Sequence, residues 1–165
     1  VKMLLGNTYK FAVITKTIKE WNVDKTFCNG VLLFCVDGNI FPKEVLTATL
    51  NSELNPLKEK LENIAINVEI FNMEKEAAFK QIYNVTFPED INLDNDYQFD
   101  ITPLSFPEDN CYIFAVSDGT QVRILAAKLK YIKEKSRHML KNININEAFI
   151  SAQEMKEIAK ALKID

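Results

Sequence analysis

Between Gln81 and Val122 the chain carries Glu89, Asp90, Asp94, Asp96, Asp100, Glu108, Asp109 and Asp118, and not one lysine or arginine. Carboxylates at that density suit four kinds of chemistry: acid and base work on a glycosidic bond, cation coordination, solvation of a loop, or attraction of a basic macromolecule. The formal charge of the whole chain is only -3, so the rest of the chain is positive. Much of that excess lies in the next stretch, where Arg123, Lys128, Lys130, Lys133, Lys135, Arg137 and Lys141 face the single acid Glu134. A field divided in this way says little about fold, but it steers and orients partners of opposite sign.

The catalytic readings find little support. Glycoside chemistry needs two carboxylates held about 5 to 9.5 Å apart in a cleft, and nothing in the spacing of Glu89 and Asp90 implies one. The segment from Asp94 matches a calcium loop only at its start, because Phe99 stands where glycine is needed and Ser105 where a bidentate glutamate is needed. His138, the one histidine, has no adjacent nucleophile and reads as an exposed bystander. Gly6, Gly30, Gly38 and Gly119 are too scattered for a phosphate-cradling loop. Cys28, Cys35 and Cys111 are odd in number and lack a CxxC spacing, which argues against a disulfide framework and against structural zinc. Cys35 and Cys111 read as buried and Cys28 as exposed. No enzyme, cofactor or metal site is expected. The basic stretch could touch phosphates, but a pI near 5.3 and the neighbouring acidic field oppose direct nucleic-acid binding.

Two readings of the acidic run therefore stay open: a solvated loop, and a surface that meets a basic protein. In the second, Glu89, Asp90, Asp94, Asp96, Asp100 and Glu108 supply the charge, while Tyr97 and Phe99 are the nearest candidates for a desolvated anchor. The tetrapeptide Phe-Pro-Glu-Asp occurs at 87–90 and again at 106–109. In each copy proline fixes φ, the phenylalanine is placed to enter the core, and the acids are expected to project into water.

The elements that must hold these residues follow from periodicity. With 165 residues, 47% hydrophobic and 26% charged, the chain fits one folded domain, 1–165, outside the disordered range. The opening residues lack the apolar stretch of a signal peptide, and no run reaches the ~20 residues of a membrane span; the expected location is the cytoplasm. Strands are expected at 10–18 and 31–36, the latter central and closed by the Asp37-Gly38 hairpin signal. Pro42 suits the first turn of a helix bearing Val45, Leu46, Leu50 and Leu54, with a strand through Val45 to Leu50 as the alternative. Pro56 opens a second helical segment to about Asn63, and Asn72 caps a third from Met73 to Tyr83 that Pro88 forbids from continuing. The clearest hairpin is 111–117, Asp118-Gly119, 121–129. A short strand at 147–150 precedes a helix that Ser151 and Glu154 open as a capping box, with Met155, Ile158, Ala159 and Leu162 inward. The class is α+β, a mostly antiparallel sheet with helices against it.

Three of these stretches, Leu5 to Val13, Asn29 to Gly38 and Tyr112 to Val116, resemble the immunity proteins of bacterial polymorphic toxin systems. They most resemble immunity protein family 42, which includes contact-dependent growth inhibition immunity proteins. The resemblance implies a non-catalytic cytoplasmic protein that binds and neutralises the C-terminal toxic domain of a cognate effector. Many such toxins are nucleases with basic clefts, so a basic ribonuclease is the expected partner and the acidic run its phosphate mimic. The alternative is an adaptor of a phage or mobile element whose acidic loops solvate an unrelated binding face.

Overall fold

A computed structural model describes residues 2–24 and 26–164. Its strands form two main antiparallel sheets and one small pair rather than a single sheet. The first sheet has the order β1 (Lys2–Gly6), β2 (Phe11–Thr17), β3 (Asn29–Val36) and β4 (Asn39–Phe41), with β5 (Ala48–Thr49) also paired to β3. The expected central strand is β3, which contacts β2, β4 and β5. Gly30 is required there, because a Cβ would lie 2.1 Å from the Lys16 carbonyl oxygen of the neighbouring strand. The turn from β3 to β4 uses Asp37 at φ 50 and Gly38 at φ 74, the left-handed pair that matches strand twist in a two-residue hairpin. Strand β1 falls in residues read from the sequence as a mere opening; its register, Leu5↔Val13 among others, is set by pairing to β2.

No helix starts at Pro42. The amides of Lys43 and Glu44 instead donate to Asp109 Oδ2 at 2.7 and 3.1 Å, so a carboxylate 65 residues away holds the backbone at this point. The strand alternative survives as the two residues of β5. Helix α1 (Leu50–Glu62) then runs through Pro56 as one element. Proline deprives the Ser52 carbonyl of its intrahelical donor, and what holds the helix is the buried stripe Leu50, Leu54, Leu57 and Leu61. Asn72 ends a short helix, α2 (Val68–Asn72), instead of opening one. Helix α3 (Lys75–Thr86) is capped by Glu74, whose carboxylate accepts from the amides of Glu76 and Ala77.

The second sheet has the order β10 (Asn146–Ser151), β7 (Gln121–Lys128), β6 (Cys111–Ser117). Every residue of β6 is buried, because both faces of the sheet are covered. Cys111, Ile113 and Ala115 join Val122, Ile124 and Ala126 in a core shared with β2, β3, α1 and α4 (Ala152–Ala161). Tyr112, Phe114 and Val116 join Leu125 and Ala127 in a second core, against Ile70, Phe79, Ile82 and Tyr83 of α2 and α3. A period of two with apolar residues on both faces produces the continuous run seen in the sequence. The outer edge of β6 is not left open: Asp100 bridges Phe114, and Ile66 bridges Ser117, which protects the edge from further pairing. Ser151 Oγ accepts from the Glu154 amide at 3.0 Å, and Met155, Ile158, Ala159 and Leu162 are buried as the capping box implied. Cys35 and Cys111 are buried and Cys28 is half-buried.

Candidate partner-binding surface

The acidic residues divide by position. Glu89, Asp90, Asp94, Asp96 and Tyr97 occupy one loop that leaves the C-terminus of α3 at Phe87. The loop is built, not slack. Asn95 Nδ2 donates to the Thr86 carbonyl and the Asp96 amide to the Val85 carbonyl, both at 2.8 Å, so the loop returns to satisfy the open carbonyls of the helix end. At its apex Asp90 Oδ1 accepts from the Asn92 amide and side chain at 2.9 and 3.0 Å, and the Leu93 amide donates to the Asp90 carbonyl. Asp96 accepts from both the amide and the side chain of Gln98.

This ordering presents apolar side chains as well as charge. Ile91 is 95% exposed, Leu93 60% and Tyr97 56%. Tyr97 rests edge-on against Phe87, centroids 6.4 Å apart, and lines a groove of about 340 Å³ with Pro56 and Lys60 of α1. Charge directed the sequence reading to this loop and passed over Ile91 and Leu93. The signal available was a pair of large aliphatic residues in a polar stretch, without the periodicity that a core face would impose.

The other candidates lie elsewhere. Phe99 is 3% exposed, in the second core, so its side chain has no area to offer a partner, and of the two aromatic candidates only Tyr97 is exposed. Asp100 is half-buried at the β6 edge, its Oδ1 accepting from the Thr102 amide. Glu108 is exposed on a separate 3₁₀ turn, Phe106–Asp109, and Asp118 sits at the β6–β7 turn with Oδ1 bound to the Thr120 and Gln121 amides. Asp109 does not project into water as expected. It is 5% exposed and receives Lys128 Nζ at 2.7 Å. Burial alone would raise its pKa; the Lys128 ammonium and the two amides outweigh that and hold it below the ordinary 3.8.

His138 is also not a bystander. It belongs to β9 (Arg137–His138), which pairs with β8 (Tyr131–Ile132) in a small hairpin. Nδ1 lies 2.8 Å from Tyr83 Oη and Nε2 3.0 Å from Asn110 Oδ1. The imidazole is enclosed by Tyr83, Tyr112 and Tyr131, centroids 5.0 to 5.9 Å away. Burial first, and then the charge of Arg137, push its pKa below 6.5. The neutral ring has one donor and one acceptor nitrogen, which suits an Asn oxygen on one side and a Tyr hydroxyl on the other. Its role is to join β9 to α3 and to the turn before β6.

Of the basic stretch, Arg123 is spent inside the fold. Its guanidinium donates to the carbonyls of Ile70, Phe71 and Met73, at the C-terminus of α2, and pairs with Glu147 at 2.6 Å. Among the described residues no group of His, Cys, Asp and Glu could hold a metal ion, and no helix is long and apolar enough to cross a membrane.

The family model described as Immunity protein 42 matches residues 3–164. The chain belongs to the immunity protein 42 family. The crystal structure of CdiI from Burkholderia dolosa AUO158 superposes with a TM-score of 0.75 at 22% identity, covering 96% of each chain. That likeness confirms the α+β fold for this member of the immunity protein 42 family. No curated protein sequence matches it.

Proposed function

We propose that the chain is the immunity protein of a contact-dependent growth inhibition system, binding the toxic C-terminal domain of a cognate effector in the cytoplasm and neutralising it without catalysis. The family match over residues 3–164 carries this reading. The toxin is a basic nuclease, a ribonuclease in the first instance, and the loop bearing Glu89, Asp90, Asp94, Asp96 and Tyr97 is the surface that meets it, with Asp100 and Glu108 at its margins. In favour of that surface is a fixed loop end that offers carboxylates together with Ile91 and Leu93. Charge accelerates encounter by ~10- to 1000-fold at low salt, while desolvated apolar anchors slow departure.

The test is protection. Bacteria expressing the toxic domain encoded beside this gene should survive when this chain is co-expressed and die when it is not, and the two proteins should co-purify. Death in both cases would refute the proposal.

A further inference from the structure

We infer that the β8–β9 hairpin is the second half of the toxin-facing surface, so that the partner presents an anionic patch next to its cationic one. This rests on the immunity reading above. A pair of two-residue strands would not hold a fixed position by itself, yet this hairpin is fastened at several points. Arg137 Nε meets Glu89 Oε1 at 3.1 Å, one terminal nitrogen donates to the Phe87 carbonyl at 2.9 Å and the other to Asn84 Oδ1 at 2.7 Å. The guanidinium also lies over the Tyr83 ring, 5.4 Å from its centroid. His138 and Tyr131 add the contacts described above. Every one of the Arg137 attachments leads to the end of α3 or to the first residues of the acidic loop, so hairpin and loop form one surface.

The charges that this arrangement leaves free have opposite signs. Glu89 and Arg137 offset each other at the seam, leaving Asp90, Asp94 and Asp96 on the loop. On the hairpin side Lys130, Lys133 and Lys135 are exposed against Glu134. Lys135 and Arg137 share the rim of a cleft of about 530 Å³ with Pro88 and Glu89, so a body that enters this cleft beside the acidic loop also meets Lys135, with Lys130 and Lys133 exposed on the same small hairpin. Carboxylates alone would attract any basic protein. Lysines beside them penalise partners that are merely basic and favour one whose charge is divided in the complementary way.

The two interface models predict opposite signs for one variant. In Lys130→Glu/Lys133→Glu/Lys135→Glu the surface becomes uniformly acidic. Measured by titration calorimetry at low salt against the cognate toxin domain, affinity should fall by about tenfold or more. Unchanged or tighter binding, as a uniformly basic toxin face would give, overturns the inference. The milder Lys133→Gln/Lys135→Gln variant should fall in the same direction; it decides the matter if the triple reversal does not fold, as read by circular dichroism. Failure of the wild-type chain to bind the toxin would instead overturn the immunity reading itself.

Discussion

His138 shows how a single titratable side chain sets a pH window for the whole molecule. In the fold its ring is held between Tyr83 and Asn110 and its pKa is depressed below 6.5, chiefly by burial. Unfolded, it takes up a proton near the ordinary value. Between the two the unfolded chain binds more protons, so stability rises with pH across that interval. The contribution is fully present above 6.5 and is lost as pH falls through the folded value. Urea unfolding at pH about 5.5 and about 7.5 should therefore show a smaller pH difference for His138→Gln than for wild type. Equal differences would mean that His138 titrates alike in both states. Phe99 makes the complementary point about legibility: an aromatic among acids reads as exposed, and only the bridge between Asp100 and Phe114 puts it inside.

Helix α2 is five residues long, too short to persist on its own propensity, and Arg123 is what closes its C-terminus. Replacing Arg123 by Leu leaves Glu147 and three carbonyls without their buried partner. Glu147 is partly exposed and water can solvate it, so the cost falls below the about 3 to 5 kcal/mol of a fully buried pair that loses one side. Hydrogen exchange should show protection lost first at 68–73, ahead of β6 and β7; uniform loss across the chain would mean that α2 is held by packing alone. Elements with strong local chemistry were legible in the sequence, namely the two Asp-Gly hairpins, the apolar run of β6 and the Ser151 cap. The misread region, Pro42 to Pro56, depends on partners distant along the chain. Asp109 binds the Lys43 and Glu44 amides, and the leucines of α1 find a core built from both main sheets. No window of a dozen residues contains that information. Helix α2 was missed for the same reason, because its stabilising cation lies on β7.

At the scale of the whole molecule the division of charge survives folding only in part. Three acids of the run are taken up locally: Asp109 by Lys128, Asp118 by its own turn, and Asp100 by the β6 edge. Arg123 and Arg137 are likewise engaged. What remains is Glu108 on its separate turn and a loop with Glu89, Asp90 and Asp94 exposed, Asp96 half-buried and aliphatic side chains beside them, fastened to a lysine-bearing hairpin. The sequence singled out the loop through its charge, but it could not reveal that the loop end is hydrogen-bonded back to α3 or that the hairpin is fastened to it, since both depend on bonds to the end of α3. The proposed attraction between this loop and a basic toxin predicts binding that weakens as the screening length shrinks from about 30 Å at ~0.01 M salt to about 3 Å at ~1 M. The most direct test is the association rate constant with the cognate toxin domain, for wild type and for Asp94→Lys/Asp96→Lys, across that salt range. The account predicts a rate at least about tenfold lower for the variant at low salt, converging with wild type at high salt, and unchanged folding. Equal rates at low salt would contradict it.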